Sequence, residues 1–224
     1  SSTLYYETLP DVTSWIQTNL ISNTSYSIYI QAYNVNGSSN SSIATRYTLA
    51  KTPTGLNSVS VFFTSTTISW IDSGATKYAI ERATGAATPA TWTYIVIWSS
   101  NATETSFTDI GLASETTYLY RIKSYNGDGI LNDTPSNTVS ILTQPAKPTS
   151  FSGTAISTGA INWSWTDNSI YETGYKVKTS TNGIIATLPA NTTFWLETNL
   201  LPNTQYSRYA VAHNASGESD VSNS

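Results

Sequence analysis

The sequence has no cysteine, no methionine and a single histidine, and only 11% of its 224 residues are charged. Without cysteine there is neither a disulfide framework nor a thiolate metal site. That absence leaves the compartment open, because a small β-sandwich can stand on its apolar core alone. Charge at this level is far below the usual quarter of a soluble chain. The formal net charge is −4, with ten Lys plus Arg, which offers no basic face for nucleic acid. The longest apolar run is Tyr94-Ile95-Val96-Ile97-Trp98, too short to span a membrane as a helix.

The polar residues show equally few signs of chemistry. His213 has no partners in the sequence for a triad or a zinc site, and reads as a partly exposed strand residue. Asn126-Gly127-Asp128-Gly129, with Asn132 and Asp133, has the look of a calcium loop. It lacks the bidentate Glu such a loop needs, and Gly and Asn suit a turn at this place anyway. Asp72 and Asp167 each follow a Trp by two residues, a repeated position that reads as a turn cap. No phosphate loop or nucleophile elbow is present. No catalytic residue, metal ligand or cofactor is assigned, and the chain is not expected to be an enzyme.

What the sequence does have is a repeat. Leu20-Ile21-Ser22-Asn23-Thr24-Ser25-Tyr26 returns as Leu112-Ala113-Ser114-Glu115-Thr116-Thr117-Tyr118 and as Leu200-Leu201-Pro202-Asn203-Thr204-Gln205-Tyr206. An aromatic stands five residues before each Leu (Trp15, Phe107, Trp195), and an Asn and a Gly follow each Tyr (Asn34 and Gly37, Asn126 and Gly129, Asn214 and Gly217). The tyrosines are 92 and 88 residues apart, a period of tandem domains and not of a solenoid. Residues after each Tyr alternate in twos, which marks a half-buried strand. A Tyr at the start of such a strand, just past a turn, forms the tyrosine corner of β-sandwiches, its hydroxyl satisfied by backbone upstream.

At these residues the chain resembles the fibronectin type III family, whose E strand, corner and F strand carry this spacing. The resemblance implies an all-β fold of tandem fibronectin type III-like (immunoglobulin-like) sandwiches, one complete and two incomplete. Residues 1–50 are expected to be the C-terminal half of a domain, with strand E over Thr13–Leu20, F over Ser25–Asn34 and G over Ser41–Leu49. Residues 51–143 are expected to be a complete domain, its B-strand Trp at Trp70. Residues 144–224 are expected to form a third, with Trp163 and Trp165 on strand B and the last strand lacking. Tyr26, Tyr118, Tyr206, Trp70, Trp165, Trp15, Phe107 and Trp195 are the expected structural residues. The strands lacking at both ends are expected to lie beyond these residues, with strand exchange between copies as the alternative.

One stretch could carry an interaction. Along Trp92–Trp98, strict alternation puts Trp92, Tyr94, Val96 and Trp98 on one face. On an edge strand, Trp92, Tyr94 and Trp98 would suit a glycan or a neighbouring chain; packing on the sandwich itself is the plainer reading. Sequons at Asn23, Asn36, Asn40, Asn101, Asn132, Asn162, Asn191 and Asn214 permit glycans in an exported protein. The expected function is a non-catalytic structural or adhesive repeat region of an exported cell-surface or filament-forming protein. Its expected partners are other protein chains, copies of itself among them, with glycans next and nucleic acid excluded. The alternative is an accessory module of a secreted polysaccharide-degrading enzyme. The fold alone selects neither.

Overall fold

A computed structural model describes residues 5–85, 91–98 and 104–223, the side chains of residues 94 and 96–98 excepted. The described elements are all strands, and none of the described residues forms a helix long and apolar enough to cross a membrane. The first unit holds β1 (Ser25–Ile28), β2 (Gln31–Asn34), β3 (Gly37–Asn40) and β4 (Ala44–Tyr47). The middle unit holds β5 (Thr54–Val61), β6 (Ser65–Ile71), β7 (Lys77–Thr84), β8 (Thr93–Trp98), β9 (Ser106–Ile110), β10 (Thr117–Tyr125), β11 (Leu131–Asn132) and β12 (Val139–Leu142). The third holds β13 (Thr149–Ser157), β14 (Ala160–Thr166), β15 (Gly174–Thr179), β16 (Ile184–Pro189), β17 (Phe194–Glu197), β18 (Arg208–Asn214) and β19 (Gly217–Glu218).

In the middle unit one sheet runs β5-β6-β9, and the other runs β8-β7-β10 with β11 and β12 on the far side of β10. These are A-B-E against C′-C-F-G, the strand order that the resemblance implies. Alternation drives the packing: Thr66, Ile68 and Trp70 of β6 point inward and are buried. Ile68 and Trp70 meet Tyr78 and Ile80 of β7 and Tyr118, Tyr120 and Ile122 of β10 in one cluster. Trp70 sits edge-on to Tyr78, ring centroids 5.3 Å apart, a favoured aromatic geometry. The third unit repeats the plan with β13-β14-β17 against β16-β15-β18-β19. Phe151 stacks on Trp163 and Trp165 above Tyr175 and Val177.

The first unit departs from expectation in two places. Residues 13–20, expected as strand E, join no ladder. The expected F strand is broken into β1 and β2, which pair with β4 and β3. One cause serves both. In the other units strand E pairs with strand B and strand F pairs with strand C along its length. No B or C strand of the first unit occurs among the described residues, so E has no partner and F is held on one edge only. Trp15 is accordingly 41% exposed and stacks on Tyr6, whereas its counterpart Trp195 packs against the third core.

Along the third unit's outer edge, Glu218 takes hydrogen bonds from Lys176 and Lys178 and ties β19 to β15. Partial burial works against its ionisation, but the two lysines outweigh that and hold its carboxyl below the usual range. Burial, with Lys176 nearby, lowers His213 as well. Both shifts have the same sign in stability. A depressed histidine contributes fully above its unfolded pKa, about 6.5, and loses that contribution as pH falls. A depressed carboxyl contributes above about 4.3 and loses it as pH falls through the folded value. The third unit should therefore melt at lower temperature in two steps on acidification from pH 7. Glu218→Gln should abolish the lower step in calorimetric scans and leave the upper one.

Candidate functional site: the clasped joints between sandwiches

The three corner tyrosines accept the same bond: Tyr26 from Ile21 N–H, Tyr118 from Ala113 N–H and Tyr206 from Leu201 N–H, each at 2.9 Å. Just before each Tyr, the corner residue has a left-handed backbone: Asn23 at φ 47°, Glu115 at φ 52° and Asn203 at φ 50°. Asn tolerates that conformation; Glu does so at a cost of order 1 kcal/mol, which other contacts must offset. The contacts lie in the next unit.

At the first joint Asn23 donates from Nδ2 to Gly74 O (2.7 Å) and accepts from Gly127 N–H (2.8 Å). At the second, Glu115 accepts from Ile170 N–H (2.8 Å), Tyr171 N–H (3.1 Å) and the Ser169 hydroxyl. In both joints a corner grips the B–C loop of the sandwich that follows. Each grip has a counterpart from the F–G loop. Asn126 Nδ2 donates to Tyr47 O and Thr48 O at 3.1 and 3.2 Å, and Asn214 Nδ2 donates to Thr143 O at 3.1 Å. The repeated Asn of the sequence is thus the second jaw of the clasp. Tyr47 N–H also donates to Asp128 (2.7 Å), and the Tyr47 ring lies so close over Gly127 that a Cβ there would stand 2.6 Å from it. The third corner has the same backbone, but Asn203 is exposed and makes no side-chain bond among the described residues.

The gripped loops are themselves held from the core. Asp72 accepts from Gly74 N–H (2.8 Å) and the Tyr78 hydroxyl (2.6 Å). Asp167 does the same for Ser169 N–H and the Tyr175 hydroxyl. Burial, then the bond to the Asp, pushes both tyrosines above their ordinary pKa. Each B–C loop is therefore fixed in shape by a buried phenol before the previous corner meets it.

The remaining candidates fall as follows. Trp70 and Trp165 lie in the cores, and Phe107 packs against the middle one. In 126–133, Asn126 Oδ1 takes Asp128 N–H and Ile130 N–H, Asn132 Oδ1 takes Thr134 N–H, and the exposed Asp133 faces Lys123 at 3.4 Å. Trp92 has the Arg121 guanidinium over its ring at 4.2 Å. The side chains of Tyr94 and Trp98 lie outside the described residues. In backbone pairing, Val96 stands opposite Ile80 but Tyr94 opposite Glu81, with a register shift between. That register shift breaks the strict alternation expected along this strand.

Sequence reading missed a carboxylate three residues before the repeated Leu. Asp109 in β9 accepts from Arg82 and from the Tyr120 hydroxyl, both at 2.8 Å. Glu197 in β17 accepts from Arg208 (2.7 Å) and from Trp163 Nε1 (2.8 Å). Both carboxylates are buried, and each arginine also lies over the corner Tyr ring. The shared offset from Leu was a usable signal; the arginines come from different strands and gave none.

No family model and no curated protein matches this sequence. Among solved structures, a two fibronectin type III domain segment of chicken tenascin aligns over 76% of this chain and 96% of its own. Its identity is 19% and its TM-score 0.46. The FN1–FN3 domains of chicken CNTN1 align over 91% of this chain and 76% of their own, at 19% identity and a TM-score of 0.38.

Proposed function

We propose that this chain, a row of fibronectin type III-like sandwiches divided at 50/51 and 143/144, is a non-catalytic structural or adhesive region of an exported protein. It belongs at a cell surface or in a filament, where it holds its units at fixed spacing and orientation for assembly with, or presentation to, other protein chains. The observation that carries this reading is the clasp. Neighbouring domains on one chain move relative to each other by default. Here a strained corner residue and an F–G Asn bind across each joint, and Glu115 alone receives three donors. The accessory-module reading gains less support, because one face of Trp92 is already covered by Arg121.

The test is relaxation and residual dipolar couplings on the whole chain. The middle and third units should fit one alignment tensor, and Glu115→Ala should split it into two while each unit keeps its own fold. Independent tumbling of those units in the unaltered chain would sink the reading.

A further inference from the structure

The two joints are held by different chemistry. At the first, the corner side chain is the amide of Asn23, which donates to Gly74 O and accepts from Gly127 N–H. An amide keeps both roles at any ordinary pH. Asp128 also reaches across to Tyr47 N–H. The bonds from Asn126 to Tyr47 O and Thr48 O, and the Tyr47 ring over Gly127, involve no charge.

At the second joint the corner side chain is the half-buried carboxylate of Glu115. Its two oxygens take three donors from the third unit: Ile170 N–H (2.8 Å), Tyr171 N–H (3.1 Å) and the Ser169 hydroxyl. The gripped loop leans on a second carboxylate, Asp167, through Ser169 N–H (2.9 Å) and the Tyr175 hydroxyl. Glu172, in the same loop, takes Asn191 N–H (2.8 Å). The charges of all three acids bear on Tyr175. None of the three has an ion-pair partner among the described residues. Gln144 and Asn214, on the linker and F–G side of the joint, are uncharged.

Taking the clasp of the proposed function as the device that fixes the units, we infer that the joint between the middle and third units is an acid-released hinge whose latch is Glu115. Protonation turns one Glu115 oxygen into a hydroxyl, so three donors meet a neutral group with one good acceptor left. Bonds to an ionised acceptor are roughly twice as strong as neutral ones, and all three weaken together. The left-handed backbone at Glu115, φ 52°, then loses the contacts that offset its strain. Protonation also relieves repulsion from Asp167 and Glu172. Those acids act through intervening groups while the donors touch Glu115 directly, so the lost bonds outweigh the relief. The Asn214 bond to Thr143 O is uncharged and stays, and the third unit swings about the linker with its own core intact. The first joint stays closed, because Asn23 takes up no proton.

The experiment follows residual dipolar couplings and amide shifts of the whole chain from about pH 7 to about pH 3, below the ordinary range of carboxyl groups. One alignment tensor should fit the middle and third units at the upper end and two at the lower, while each unit keeps its own dispersed spectrum. The Ile170 and Tyr171 amide protons should move upfield with the midpoint of the Glu115 carboxyl carbon. Their protection against exchange should fall by about tenfold. Glu115→Gln should need two tensors at both ends of the range and abolish the titration of those amides. Two tensors at neutral pH in the unaltered chain would defeat the clasp and the hinge with it. One tensor at both ends would leave the clasp standing and overturn the hinge. So would acid opening in a Glu115→Gln chain that is closed at neutral pH, or loss of the third unit's own fold as the tensors part.

Discussion

Trp70→Ala is expected to lower the stability of the middle unit by about 3–5 kcal/mol, the usual cost of truncating a buried aromatic to Ala. Trp70 is only 5% exposed, sits at the centre of the middle cluster and meets Tyr78 edge-on. Removing the indole opens a cavity between two sheets whose ladders resist collapse into it. Tyr78 also carries Asp72, so the cavity weakens the B–C loop that the first corner grips. Urea melts of the whole chain should show the middle transition moving to lower denaturant while the third stays. Trp70→Phe separates packing from polarity. The indole N–H has no partner among the described residues, so the phenyl variant loses volume alone and should fall by much less. An unchanged midpoint for Trp70→Ala would remove Trp70 from the core.

Arg208→Met is expected to cost the third unit about 3–5 kcal/mol, as much as a core truncation, because it leaves a buried carboxylate without its charge partner. Glu197 is 8% exposed and is held by Arg208 and the Trp163 indole. With the guanidinium gone, the indole N–H alone cannot stabilise the ion in a low-dielectric interior. The pair itself is a different matter. Replacing both partners by apolar residues of similar volume is often neutral or stabilising, since two desolvation costs vanish together. Arg208→Met with Glu197→Leu should therefore recover most of the loss. Denaturant melts of the two single variants and the double form a cycle, and a double variant as weak as Arg208→Met would show that Arg208 acts by packing instead.

Much of this protein could be read without coordinates. The three-fold repeat marked the corner tyrosines and the Asp after Trp70 and Trp165, while the family resemblance implied the B-strand tryptophans and the two-sheet sandwich. A strand's period of two says which side chains go inside wherever the strand forms. Its limits show in the same places. Residues 13–20 match a strand that exists in the third unit, yet join no ladder in the first, because a strand is completed by its neighbour and not by its own residues. The pairing of β8 with β7 shifts register between Val96 and Tyr94, a fact that alternation cannot contain. Sequence placed Asn23, Glu115 and Asn203 at one turn, and Asn126 and Asn214 at another. Only the tertiary structure decided that the first two corners hold the next unit's B–C loop, that both F–G Asn side chains reach back to the previous strand end, and that Asn203 holds nothing among the described residues. Which loop meets which corner depends on the path of the linker and the angle between whole sandwiches. Those are set by packing between units, on which the local period of either one is silent.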